Sequence, residues 1–116
     1  MKINGVDLEV NFLDADFMEK LENCCKKVND QAEKSKKELK DLTYSQQIKA
    51  ECKIIKDFFD DLFGEGTSEK IFQEKNDLML CLSAFQELVE EKVKAQKNVN
   101  NLFSKYSPGR LNKWTY

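Results

Sequence analysis

The 116-residue chain contains no histidine. The side chain that most often serves as a general base or metal ligand near neutral pH is missing, and the usual catalytic dyads and triads go with it. One proline and four glycines are too few turn formers for a β-rich fold. No apolar run approaches the roughly 20 residues that span a bilayer. The opening Met1-Lys-Ile-Asn-Gly5 lacks the apolar stretch of a signal peptide. Cys24, Cys25, Cys52 and Cys81 show no Cys-x-x-Cys spacing. Without histidine a zinc site would need all four thiolates, and adjacent cysteines on one helix converge poorly on a metal. Buried, reduced thiols in a cytoplasmic protein are the expectation.

The remaining chemical candidates fail on spacing. Asp57 and Asp61 share a helical face with Asp60 nearby, but the central glycine and closing glutamate of a calcium loop do not fall where they should. These acids read as a solvated face. Gly64-Glu-Gly66 lacks the lysine-serine ending of a phosphate loop. No cysteine has a base partner. The chain is therefore expected to be non-enzymatic, with no cofactor, no metal and no small-molecule substrate.

What is present is charge and helical periodicity. Hydrophobic residues make up 41% and charged residues 34% of the chain, the mixture of an amphipathic helical protein. Formal net charge is only −2, but it is unevenly spread. Six basic and no acidic residues follow from Lys92 onward, while acids outnumber bases six to one between Asp57 and Glu74. Such polarity favours head-to-tail or acidic–basic contacts, and a solvated charge pattern gives the same sequence. No aromatics interleave the lysines as a nucleic-acid stacking platform would need.

Asn4-Gly5 followed by alternating Val6, Leu8 and Val10 predicts a small β-hairpin over 2–12. A first helix over 14–42 is capped by Asp14 or Asp16. Its apolar positions recur at three–four spacing, wide at the start and thin around Ala32 and Ser35, and the seam leaves self-association open. A second helix over 45–63 follows a cap at Thr43 or Ser45. It carries Ile48, Cys52, Ile55, Phe58, Phe59 and Leu62, and should end on a left-handed Gly64. Thr67 caps a short helical turn holding Ile71 and Phe72. A last helix over 77–106, capped by Asn76, is apolar on several sides in its first half, which should be the most buried segment. It thins to Val93, Val99 and Leu102. Two long helices lying antiparallel, with their thin halves projecting together, are expected. Ser107-Pro-Gly ends the helix, and 107–116 forms a basic tail with the single tryptophan, Trp114. The fold expected is one mainly α domain: an antiparallel helical bundle with two long helices and a small N-terminal β-hairpin. Phe58, Phe59, Phe63, Gly64, Gly66 and Phe72 are its expected hub.

Three stretches carry a family resemblance: Phe58-Phe-Asp-Asp-Leu-Phe-Gly-Glu-Gly-Thr-Ser-Glu-Lys-Ile-Phe72, Ala84-Phe-Gln-Glu-Leu-Val-Glu90 and Lys105-Tyr-Ser-Pro-Gly-Arg110. With the Ile-Asn-Gly-Val opening, the whole length resembles small proteins of phages and prophages of Gram-positive bacteria. Those proteins look like tail assembly chaperones of long-tailed phages. The resemblance implies a non-catalytic protein in the cytoplasm of the bacterial host that binds the helical tape measure protein and helps recruit tail tube protein. It implies contact surfaces at Leu102, Tyr106, Arg110 and Trp114. The ending on Trp-Thr-Tyr is less basic than expected for such proteins. A second reading takes the acidic Asp57–Glu74 face as a small inhibitor of a host defence nuclease.

Overall fold

Local signals set most of the boundaries in the computed structural model, which describes residues 1–106. Asn4 and Gly5 both take positive φ, 51° and 79°, the backbone of a type I′ turn, and so reverse the chain tightly. Strands β1 (Lys2–Ile3) and β2 (Val6–Asp7) pair antiparallel across it, Ile3 opposite Val6. The expected hairpin to residue 12 is shorter in regular form. Leu8 exchanges bonds with Met1, its N–H donating at 2.8 Å. Beyond it the alternation survives only as burial, with Leu8 buried and Val10 half-buried. Ile3 and Leu8 plug the ribbon into the helical core.

Helix α1 (Ala15–Glu38) starts where the Asp14 carboxylate accepts from the Phe17 N–H at 3.0 Å, as a cap does. Its last expected turn tightens into a separate 3-10 segment at Leu39–Asp41. Helix α2 (Tyr44–Phe63) opens with a reciprocal capping box between Thr43 and Gln46, satisfying two otherwise orphaned donors. Helix α4 (Leu78–Tyr106) is capped by Asp77, whose Oδ1 accepts from the Met79 and Leu80 N–H groups. Asn76, the expected cap, instead accepts a hydrogen bond from Lys56 Nζ at 2.9 Å.

The corner between α2 and the short α3 (Thr67–Phe72) departs from expectation in two ways. Gly64 sits at φ 113°, ψ 153°, a region open essentially to glycine alone; the left-handed residue is Gly66 at φ 90°. A Cβ at either glycine would meet nothing within 4 Å, so the backbone angle, not crowding, demands glycine. Thr67 does not cap α3; its hydroxyl donates to the Gly64 carbonyl at 2.7 Å. The cap comes from Asp60 on α2, which accepts from both the N–H and the hydroxyl of Ser68 at 2.9 Å.

Helix α2 is the centre of the molecule. Cys52, Ile55, Phe58, Phe59 and Leu62 are all buried on it, and α1, α3 and α4 each pack against it. The expectation for α1 and α4 is corrected. The C-terminal half of α1 stands beside the first turns of α4 across a groove, and Lys92 comes near Cys25. The two helices run in opposite directions, which places their thin halves at opposite ends. The first half of α4 is not the most buried segment either: Met79 is 72% and Leu82 46% exposed. One apolar stripe of it (Cys81, Ala84, Leu88) is in the core and Leu78, Leu80 and Phe85 pack against that core half-buried or at its edge, while Met79 and Leu82 stay exposed.

After Leu88 no described apolar residue of α4 packs on the core. At 1.5 Å per residue the stretch to Tyr106 projects about 27 Å. The shape follows, 58 × 32 × 21 Å with a radius of gyration of 17.2 Å, where a compact chain of this length has about 13 Å.

Candidate functional site

Seven phenylalanines form one connected ring network. Phe12 meets Phe17 edge-on, Phe17 leads to Phe63, and Phe63 stacks on Phe59 at 6.1 Å. Phe59 touches Phe58 and Phe72 edge-on, and Phe58 reaches Phe85 at 4.9 Å. Phe58, Phe59 and Phe72 have almost no exposure, whereas Phe63 is half-buried. Each edge-on or stacked pair adds about 0.5–1.5 kcal/mol beyond area burial. Phe58, Phe59, Phe63 and Phe72 of the expected hub are brought together in this network. Phe12 in the turn before α1, Phe17 on α1 and Phe85 on α4 complete it; their distance in sequence from the α2–α3 corner hid that link.

The acidic stretch is divided by the fold into separate tasks. Asp60 turns inward to Ser68. Asp61 faces α1 and accepts from Lys27 Nζ at 3.0 Å, and this hydrogen bond raises the Lys27 pKa. Asp57, Glu69 and Glu74 share a shallow depression with Lys53 and Lys56, so their charge is answered locally. Among the described residues no group of three acids or cysteines could hold a metal ion, and no described helix is long and apolar enough to cross a membrane.

The thiols divide two and two. Cys52 and Cys81 are fully buried, as expected, whereas Cys24 and Cys25 are only half-buried against the core. Burial first, then the hydrogen bond with Cys52, pushes the Cys81 thiol up to about 12. Burial also raises Cys24 and Cys25, against the pull of Lys20 and Lys27 on the first and Lys92 on the second. Thiols held up in this way carry less thiolate near neutral pH than an unperturbed cysteine. A thiol with a raised folded pKa stays protonated after its unfolded counterpart has ionised, so the folded state then holds more protons. Stability should accordingly fall as pH rises from about 9 toward 12, by up to about 1.4 kcal/mol per pH unit for one group. In urea denaturation at stepped pH, Cys81→Ala should flatten that fall; an unchanged slope would assign it to other groups.

The feature that does invite a ligand is the groove between α1 and α4, floored by α2. Val28 and Ala32 form one wall, Ile54 and Ile55 the floor, and Leu78 and Leu82 the other wall. Its volume is about 330 Å³ and its lining is mostly apolar, with Lys36 and Glu51 at the rim. The small Ala32 and Ser35 that thinned the α1 seam are what open it. Of the expected contact residues, Leu102 is 49% exposed on the projecting half of α4. Tyr106 closes that helix, and its side chain, with Arg110, Trp114 and the basic tail, lies outside the described residues. Sequence reasoning missed the groove, although the doubled apolar face of Leu78–Leu82 was its signal.

A family model described as a family of unknown function (DUF6673) matches residues 4–115. No curated protein and no solved structure matches the chain. The chain belongs to the DUF6673 family.

Proposed function

We propose that this DUF6673 member is a non-catalytic tail assembly chaperone of a long-tailed phage, working in the cytoplasm of its bacterial host. In this reading it binds the tape measure protein and assists tail tube assembly. The observation that carries it is the open apolar groove on an elongated, mainly helical body. An amphipathic helix laid in such a groove buries its apolar stripe while its polar side stays wet, which is what an uncovered tape measure helix needs to remain soluble. The helices act as an antiparallel bundle whose two long members, α1 and α4, form the walls. Leu102 and Tyr106 of α4, together with Arg110 and Trp114 outside the described residues, are the contact residues this reading assigns to tail tube protein. Modest affinity per copy, multiplied along one long client, would hold the client yet permit release.

The test is co-expression with the large helical protein encoded beside it. Under this reading that protein becomes soluble only with this chain present, and the two co-purify with many copies of the chain per client. A neighbour that neither binds nor changes solubility would sink the proposal. We prefer this reading to that of a nuclease inhibitor because Asp60 and Asp61 are engaged by Ser68 and Lys27, and Asp57, Glu69 and Glu74 stand beside Lys53 and Lys56.

A further inference from the structure

Cys52 on α2 and Cys81 on α4 are two nucleophilic side chains that the groove and its client leave without a task. Neither has any exposure, and both sit in the one core cluster. The Cys81 side chain is in hydrogen-bond contact with that of Cys52. The two helices are tied together close by. Lys56, one turn after Cys52, donates to Asn76 at 2.9 Å. Phe85, one turn after Cys81, meets Phe58 of α2 at 4.9 Å. The sulfurs therefore face each other across a packed interface whose neighbours hold them there. A disulfide asks for such an approach, with Cβ atoms about 3.5–4.5 Å apart. Cys24 and Cys25 have no comparable arrangement with each other: they are successive residues of α1, and their side chains leave the helix about 100° apart.

We propose that Cys52 and Cys81 are a latent disulfide, closed by hydrogen peroxide, that locks α4 to α2. One thiolate attacks a peroxide oxygen; the O–O bond breaks, hydroxide leaves and the sulfur becomes a sulfenic acid. The second thiolate attacks that sulfur; the S–S bond forms, the S–O bond breaks and a second hydroxide leaves. The protons given up by the two thiols turn both hydroxides into water. The sulfurs together lose two electrons, and the peroxide gains them. The oxidant has to be small, because the burial that holds the Cys81 thiol up also bars bulky reagents, whereas hydrogen peroxide is uncharged and little larger than water. A low thiolate fraction makes the first step slow. The second is fast by comparison, because the fold already holds the other sulfur against the first. The link closes a loop through the Gly64–Gly66 corner and α3, which removes freedom from the unfolded chain. It also fixes α4, one wall of the groove, to α2, its floor.

The test treats the folded full chain with hydrogen peroxide, then unfolds it in urea with an alkylating agent and maps its peptides without reduction. Cys52 and Cys81 should emerge joined, with the mass lower by two hydrogens at that pair, and dithiothreitol should return both to alkylatable thiols. The linked chain should unfold at a higher urea concentration than the reduced one. Cys52→Ala and Cys81→Ala should each lose the link and the upward shift together, while Cys24→Ser with Cys25→Ser should keep both. Recovery of Cys52 and Cys81 as alkylated or over-oxidised single residues would overturn the proposal. So would a linked chain that unfolds at the same or lower urea concentration, or an upward shift that persists in Cys81→Ala.

Discussion

Replacing Phe59 by alanine is expected to lower stability by about 3–5 kcal/mol, the usual cost of emptying a buried aromatic site. Phe59 has no exposure and holds rings from α2 and α3 together through Phe58, Phe63 and Phe72. A domain of this kind has only about 5–15 kcal/mol in total, so the variant should sit near the edge of unfolding. The comparison is Phe12→Ala at the outer end of the same network, where the ring is half-buried and the loss should be markedly smaller. Urea denaturation followed by helix signal measures both. Equal losses would show that the network does not concentrate its packing at Phe59.

Asp60→Ala should cost about 2–3 kcal/mol, while Asp61→Ala, one residue along, should cost less than about 1 kcal/mol. The difference is one of environment. Asp60 accepts two charge-assisted bonds from Ser68, a residue only 7% exposed, and truncation leaves both donors without that partner in a buried place. Asp61 makes an exposed ion pair with Lys27, which water and salt screen. Ser68→Ala should remove part of the same energy. Combined with Asp60→Ala it should add little, since the two residues share their bonds. Additive losses would mean that Asp60 acts on α3 by another route.

These two predictions mark where the sequence was legible. Helix positions followed from three–four spacing, and two of the caps and the hairpin turn follow from local chemistry: Asp14, Thr43 and the Asn4-Gly5 turn each act within four residues. The phenylalanine hub was legible too, because four of its rings lie within Phe58–Phe72. Asp57, Asp60 and Asp61 looked alike in sequence, since nothing local says which carboxylate will meet Ser68 and which Lys27. Adjacent candidates such as Asn76 and Asp77 are likewise separated only by the Lys56 amine arriving from another helix.

The amino-acid order alone determined a mainly helical chain with a short hairpin, four helical segments and a glycine corner. Those properties depend on contacts a few residues apart, which periodicity reports. The tertiary structure decided that α2 is the centre and that the second apolar stripe of α4 stays open beside α1. It also decided that the projecting half of α4 leaves the core after Leu88. Burial depends on which faces find a partner. A helix that is apolar on two sides has the same sequence whether its second side meets its own chain or waits for another.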